Sequence, residues 1–496
     1  MKIHCFFLFI GSTYNLKIFI NFLLFCRYKM LSKLRPKMKK KQTVKYLINF
    51  FDNTFGLRNI YFQQIAQEFK MQESNQQKQM QSENEKQQQI ERQKELFGTV
   101  VNRMHSHCLK YDAISIFFPE YQNPEEVSCN WVGDMDFNVC PYITEGIQKR
   151  IKTNNIYGYP GLLIKYEPFL NSLISWCRRR HSYEIQPQQI NITQNTLQTI
   201  STLYRLKSKK NQGIIIQTPI YYKIIDQATM IGRKIVPNPL IFQDGLYYIN
   251  FELLEEQLAD PNNKIMVFCN PLNPSGRVWT YDEVKRVAEL CLKYDVFLIS
   301  DEIFADLTLP GYKHTIAGSI SNEINNNTAT IFTPSKAFNL SGLSISTVVI
   351  PNQEIHRQFT QKNNSQGFYY ANIFGQIAYE NAYSFQGEQW LTDLMDYIVS
   401  NYEFMQQYLT EQYPDIEILQ MQAGYLTMLD FSKTNLPYQK IKQILINSNV
   451  LLEDLSDFFY PKQTSQLFRI NIACPQVKLK ECLEKIVHGF KSQSKN

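Results

Sequence analysis

From about Phe97 to the carboxyl terminus, short apolar runs alternate with stretches whose apolar residues recur at helical spacing. Gly213–Gln217, Lys264–Phe268, Val296–Ser300, Ala329–Thr333 and Thr347–Ile350 have the pattern of strands buried on both faces. Leu197–Lys207, Tyr281–Lys293 and Ile373–Tyr383 read as helices, and Pro141 opens another amphipathic stretch over Ile143–Ile151. The alternation predicts an α/β fold with a mostly parallel sheet covered by helices on both faces. In such sheets chemistry collects at the carboxyl ends of the strands. A long helical stretch, Glu388–Tyr413, leads to the shorter runs Ile416–Met421, Tyr425–Asp430 and Leu467–Ile472, which predict a second, smaller subdomain.

Residues 1–96 differ in kind. Ile3–Phe25 is apolar but interrupted by Ser12, Thr13, Asn15, Lys17 and Asn21, a poor bilayer span with no small-residue cleavage site after it. Arg27–Lys45 is basic and free of acids, which suits a targeting segment, the flank of a signal anchor, or an extension ahead of a start at Met30 or Met71. The address is therefore open between cytoplasm and mitochondrion, with membrane contact expected only through residues 3–26. Met71–Gln93 is dominated by Gln, Glu, Asn and Lys and reads as a solvated helix or linker, too poor in apolar residues to order itself.

This asymmetry changes the meaning of the charge. The 496 residues carry a formal +7, yet residues 1–51 hold eleven Lys and Arg and no acid. The remaining residues carry 41 basic and 45 acidic side chains, which offers no nucleic-acid surface. The ten cysteines are scattered, with no Cys-x-x-Cys pair and no zinc-type spacing, as expected of thiols in a reduced compartment and of a chain without a metal site.

Candidate chemistry lies where the strand pattern ends. Asp301 closes an apolar run, where a carboxylate is costly to bury unless a cation or a pyridinium N–H meets it. Lys336 follows the next run in Thr333-Pro334-Ser335-Lys336, placed for a lysine whose amine condenses with an aldehyde once burial lowers its pKa. Asn273, in the turn Asn270-Pro271-Leu272-Asn273-Pro274, offers an amide to a ring hydroxyl. Together the three are what a pyridoxal 5'-phosphate (PLP) enzyme requires: a Schiff-base amine, an acid for the pyridine nitrogen and a donor for O3′. Tyr221 follows a strand and could stack on the ring. Asn195 and Thr196 open a helix whose N–H groups favour a phosphate, and Thr333 and Ser335 could add hydroxyls. The plain alternative for Asn195 is an N-cap. Arg469 is a guanidinium inside an apolar strand, suited to a substrate carboxylate or to a structural salt bridge.

Over residues 97–490 these runs resemble the class I/II aminotransferases, and specifically the MalY/PatB carbon–sulfur β-lyase branch. Trp131–Phe137, Tyr157-Gly158-Tyr159, Leu272–Trp279, Ser300–Leu307, Pro334–Leu343, Glu388-Gln389-Trp390-Leu391 and Arg469–Pro475 carry the resemblance. It implies PLP fold type I, a homodimer, and roles for Lys336, Asp301, Asn273, Tyr221 and Arg469 as above. It also implies that Tyr159 reaches the neighbouring subunit's phosphate. The corresponding layout is an extension over 1–96, a first part of the small domain over 97–155, a large PLP-binding domain over 156–387, and an interdomain helix with the small domain over 388–496.

Three positions depart from the family pattern. Asn195 stands where a Gly is usual, Phe304 where a His or Tyr could touch the ring hydroxyl, and Ser344 where many aminotransferases carry a phosphate-binding Arg. The last is itself a trait of the MalY/PatB branch. The resemblance implies β-elimination on cystathionine or a cysteine S-conjugate, giving pyruvate, ammonia and a thiol. Transamination with a 2-oxoacid acceptor, and a catalytically idle PLP-binding protein acting through partner contacts, stay open beside it.

Overall fold

The computed structural model describes residues 87–160 and 166–493. The expectations for Ile3–Lys45, and for the Gln-rich stretch up to residue 86, lie outside the described residues. The described residues from 88 onward form one compact unit. The end of the Gln-rich stretch joins it as a helix that runs to Phe97. Arg92 pairs with Asp393 at 2.7 Å, and Phe97 is buried against Phe137 and Trp390, with ring centroids 5.1 and 5.5 Å away. Among the described residues no helix is long and apolar enough to cross a membrane.

Seven strands make the central sheet: β1 (Ile190–Thr193), β2 (Gly213–Thr218), β3 (Lys234–Pro239), β4 (Asn263–Cys269), β5 (Phe297–Asp301), β6 (Thr328–Phe332) and β7 (Ser346–Val349), in the order β1-β7-β6-β5-β4-β2-β3. Only β7 runs against its neighbours; the other contacts are parallel. The five predicted runs all lie in this sheet, and β2, β5 and β6 are buried at every residue, as a sheet covered on both faces requires. The two strands without a predicted counterpart, β1 and β3, are the edges. β3 carries Pro237 and Pro239, which cannot donate to a ladder and are tolerated there because one side has no partner strand.

The expected helices form as α1 (Pro141–Thr153), α3 (Thr196–Lys207), α4 (Tyr281–Lys293), α5 (Ile373–Ala382) and α6 (Phe385–Gln412). Thr280 and Glu283 cap α4 reciprocally, satisfying two backbone donors that a helix start otherwise leaves open. An unexpected helix, α2 (Glu167–His181), buries Phe169, Leu173 and Trp176 and ends on Arg178-Arg179-Arg180-His181, cations that favour a helix C-terminus.

A second, antiparallel sheet contains β8 (Glu417–Ile418), β9 (Leu426–Asp430), β10 (Glu453–Asp454) and β11 (Leu467–Asn471) in the order β8-β9-β11-β10. A terminal helix, α7 (Gln476–Gln493), packs on α6. One apolar core joins this sheet to the central one: Phe304, Phe332, Phe338, Tyr425, Leu426 and Ile470 belong to the same buried cluster. The parallel strands deliver Asp301 at the end of β5 and Lys336 just beyond β6, while β11 presents Arg469 from the other sheet.

Candidate active site

Asp301 is 2% exposed, and its Oδ1 has no hydrogen-bond partner among the described residues. Burial raises its carboxyl to about 7; the backbone N–H of Ile303 and the Lys336 amine oppose the rise, and the Glu302 carboxylate adds to it. The neighbouring acid is tied off. Glu302 accepts from the Ser300 hydroxyl at 2.7 Å, meets His314 Nε2 at 2.6 Å and accepts from the Ala317 N–H at 3.3 Å.

Lys336 is partly buried, and its Nζ donates to the Gly133 carbonyl at 2.8 Å. Burial, with the Arg469 guanidinium second, brings the ammonium down to about 8 against the pull of Asp134 and Asp301. Near neutral pH a usable fraction of this amine is therefore unprotonated. The Gly133 carbonyl accepts a second bond, from the buried Tyr425 hydroxyl at 3.1 Å.

Arg469 is 4% exposed and stacks over the Phe458 ring at 5.2 Å. Its Nη1 donates to Asn273 Oδ1 and its Nη2 to the Trp131 carbonyl, both at 3.0 Å, while Nε has no partner among the described residues. Glu453 Oε2 stands 3.8 Å from Nη2, a long ion pair rather than a close bidentate one. Both terminal nitrogens of the guanidinium are thus engaged by protein acceptors, and only the buried Nε lacks one among the described residues. Tyr221 is partly buried beside Tyr222 and Phe458, and burial pushes its hydroxyl up to about 12. Lys336, Asp301, Arg469, Asn273 and Tyr221 are thereby linked by hydrogen bonds or by mutual electrostatic effects.

The phosphate candidates stand differently. Asn195 is the N-cap of α3: its side chain accepts from the Gln198 N–H at 2.9 Å, and its φ of −164° is ordinary extended backbone. An Asn in place of Gly there carries no strain. Thr196 begins the helix, partly buried. Thr333 donates its hydroxyl to the Ile345 carbonyl at 2.8 Å and accepts from the Ser335 N–H at 3.1 Å, so it braces the lysine loop; the Ser335 hydroxyl lies 2.7 Å from it. Tyr159 is 91% exposed, with its ring 5.7 Å from that of Tyr370.

Of the departures, Phe304 is buried and lines a pocket with Asn273, Gly424 and Leu426. Gly424 sits at φ +83°, a backbone conformation that favours glycine, and a Cβ there would meet Phe304 at 3.4 Å, an ordinary contact. Ser344 turns through the left-handed region at φ +47°. The sequence pattern alone marks no site role for Gly133, Asp134, Tyr425 or Asn471. The pair Asp134 and Asp136 inside the apolar run Trp131–Phe137 was the available signal.

A family model for aminotransferase class I and II matches residues 131–486. The chain belongs to that family. Cystathionine β-lyase PatB of Bacillus subtilis is 32% identical over 357 residues, which is 72% of this chain and 90% of PatB. The protein MalY of Escherichia coli is 26% identical over 400 residues, covering 80% of this chain and 99% of MalY. The crystal structure of cystalysin from Treponema denticola, which contains a PLP cofactor, superposes with a TM-score of 0.76 at 31% identity, covering 80% of this chain and 99% of cystalysin. The fold is therefore that of the aminotransferase-like PLP enzymes.

The residues present fit this cofactor. A buried carboxylate oxygen without a donor is costly unless a donor arrives, and a pyridinium N–H is such a donor. The amine depressed to about 8 is the group that condenses with an aldehyde.

A stability test follows with a definite sign. In the cofactor-free chain Asp301 takes its proton near pH 7, whereas an unfolded Asp does so at about 3.9. Between those values the folded form binds more protons, so this residue makes stability fall as pH rises. In urea titrations, cofactor-free Asp301→Asn should lose less stability than the parent chain between pH 5 and 7. Parallel pH dependences would contradict the assignment.

Proposed function

We propose that this chain is a PLP-dependent carbon–sulfur β-lyase, acting on L-cystathionine or related cysteine S-conjugates. The observation that carries the reading is the similarity to PatB along nine-tenths of that lyase's length, 90%. The site described above supports it with the amine, acid and guanidinium that the chemistry needs.

Asp301 would hold the pyridine nitrogen protonated, Asn273 would face the ring hydroxyl, Tyr221 the ring, and Lys336 the aldehyde carbon. The start of α3 at Asn195 and Thr196, with Ser335 and Thr333, would take the phosphate. When bound, PLP supplies the electron sink that makes the α-carbon of an amino acid acidic. Arg469 would bind the substrate carboxylate, fixing which bond at Cα stands ready to break. Lys336, as the neutral amine, takes the α-proton. The Cβ–S bond then breaks with its electron pair leaving on sulfur, which gains a proton to become the thiol. The three-carbon enamine left behind hydrolyses to pyruvate and ammonia.

Transamination is the second reading, favoured by the aspartate aminotransferase of Bacillus subtilis, 27% identical over 217 residues. It uses the same lysine but returns the proton elsewhere and consumes a 2-oxoacid. A second copy of the chain is part of the proposal. Tyr157, Tyr159, Tyr369 and Tyr370 are all more than 40% exposed, which is unusual for a clustered set of large rings. A dimeric mass by light scattering is expected, and a strictly monomeric holoenzyme would count against it. The proposed address is cytoplasmic or mitochondrial; N-terminal sequencing of the native protein would show whether residues 1–96 persist.

With L-cystathionine, the purified holoenzyme should release pyruvate and a thiol, and Lys336→Ala should lower the rate by at least about 10²–10⁴-fold, the contribution of a positioned proton-transfer group. Product formed only when a 2-oxoacid is supplied would favour transamination. Turnover by Lys336→Ala equal to the parent would defeat both.

A further inference from the structure

The Gly133 carbonyl that receives Lys336 belongs to a strap, residues 131–136, which is tied down along its whole length. Asn471 Nδ2 donates to the Val132 and Asp134 carbonyls at 2.7 and 2.6 Å, and Arg469 donates to Trp131. Met135 exchanges two hydrogen bonds with Asn339, three residues past the lysine: its N–H meets Asn339 Oδ1 at 3.0 Å, and its carbonyl accepts from Asn339 Nδ2 at 2.9 Å. The other side of the strap faces cations from an earlier segment. Arg103 spans both acids, reaching Asp134 Oδ2 and Asp136 Oδ1 at 2.6 Å each. Lys110 has no solvent exposure and binds Asp136 Oδ2 at 2.8 Å, where the Tyr111 hydroxyl also donates at 3.0 Å.

A fully buried ammonium is among the more expensive groups a fold can carry, and it is held only where the partners are fixed. Two buried or half-buried cations on two acids of a six-residue loop make a rigid clamp. Replacing Arg103 leaves Asp134 with Lys110 alone, at 4.0 Å, and replacing Lys110 leaves the buried Asp136 one cation short, a cost that a paired site does not carry. The clamp ends one peptide from the carbonyl that orients the lysine amine. Both cations lie ahead of residues 131–486, the span matched by the family model.

We propose that Arg103 and Lys110 are positioning residues for the reaction: through Asp134 and Asp136 they fix the Gly133 carbonyl and so the place and charge environment of the Lys336 amine. The inference deepens the lyase reading and rests on Lys336 being the cofactor lysine. Three charged groups act on that amine, namely Asp134 and Asp301 with negative charge and Arg469 with positive charge. Cys108 accepts from Arg103 Nη2 at 2.9 Å, and Cys129 and Cys474 stay protonated behind Asp136, because burial raises both thiols to about 12. Arg103 neutralises Asp134, so its removal strengthens the negative field at Lys336, whereas neutralising Asp134 itself weakens that field.

The two changes should therefore move the lysine in opposite directions, which loss of stability alone would not do. The experiment titrates the visible absorbance of PLP bound to the full-length chain, band against pH, beside the thermal midpoint and kcat for pyruvate release. Arg103→Met should raise the titration midpoint by about half a pH unit or more, and Asp134→Asn should lower it. Lys110→Met should lower kcat about tenfold with less effect on KM, and Arg103→Lys should restore most of the parent titration. If Arg103→Met does not fold, Arg103→Gln, which also removes the charge, and Asp134→Asn still carry the test through their opposed shifts. Midpoints that stay in place, or move the same way in Arg103→Met and Asp134→Asn, would overturn the proposal even if both variants melt early. A parent chain that shows the Lys336-dependent band but releases no pyruvate would sink the lyase reading and leave this titration to decide the clamp.

Discussion

An acid and an amine share one desolvated corner at the carboxyl ends of the central strands, and burial holds each away from its ordinary protonation. Asp301 is pushed up to about 7 and Lys336 down to about 8, each moderated by the other. In water neither shift would exist, because solvation favours both charged forms. The parallel sheet creates the corner. β5 and β6 are buried along their whole length, so their ends open into a space already closed off by helices on either face. The remaining site residues bring to this corner what it lacks: Arg469 a buried cation, Asn273 an amide beside it, and Tyr221 an aromatic ring.

Much of this was legible from one dimension. Asp301 stood out because a carboxylate at the end of an apolar run needs a reason, and Arg469 for the same reason with the opposite charge. Lys336 took its meaning from the strand before it. The five buried runs became the inner strands because continuous β-branched sequence can satisfy only a sheet covered twice. β1 and β3 were not legible: a four-residue edge strand and an edge strand with two prolines lack the pattern that marks the interior. Asn195 shows a different limit. Sequence offered both phosphate loop and cap, and the side chain is a cap, while the backbone donors it leaves beside it remain the feature a phosphate would use.

The strap over the lysine was not legible as a functional element at all. Its bonds run from side chains to backbone carbonyls between partners 203 to 339 residues apart, and such contacts leave no periodicity in sequence. Only the two acids of Trp131–Phe137 hinted that cations would be found for them. Their partners come from residues 103–110, so the segment that looks like a preamble to the enzyme is joined to its reacting amine through two layers of fixed charge. The second sheet is joined in the same way, since β11 supplies both Arg469 to the site and Asn471 to the strap. The central sheet and the four-stranded sheet are thus held at the site by polar bonds laid over a common apolar core.

All of this turns on which nitrogen captures the cofactor. Reducing the holoenzyme with borohydride and mapping the modified peptide by mass spectrometry tests it directly. The account predicts a single pyridoxyl group on Lys336. A pyridoxyl group on another lysine, or none on a chain that binds PLP, would contradict it.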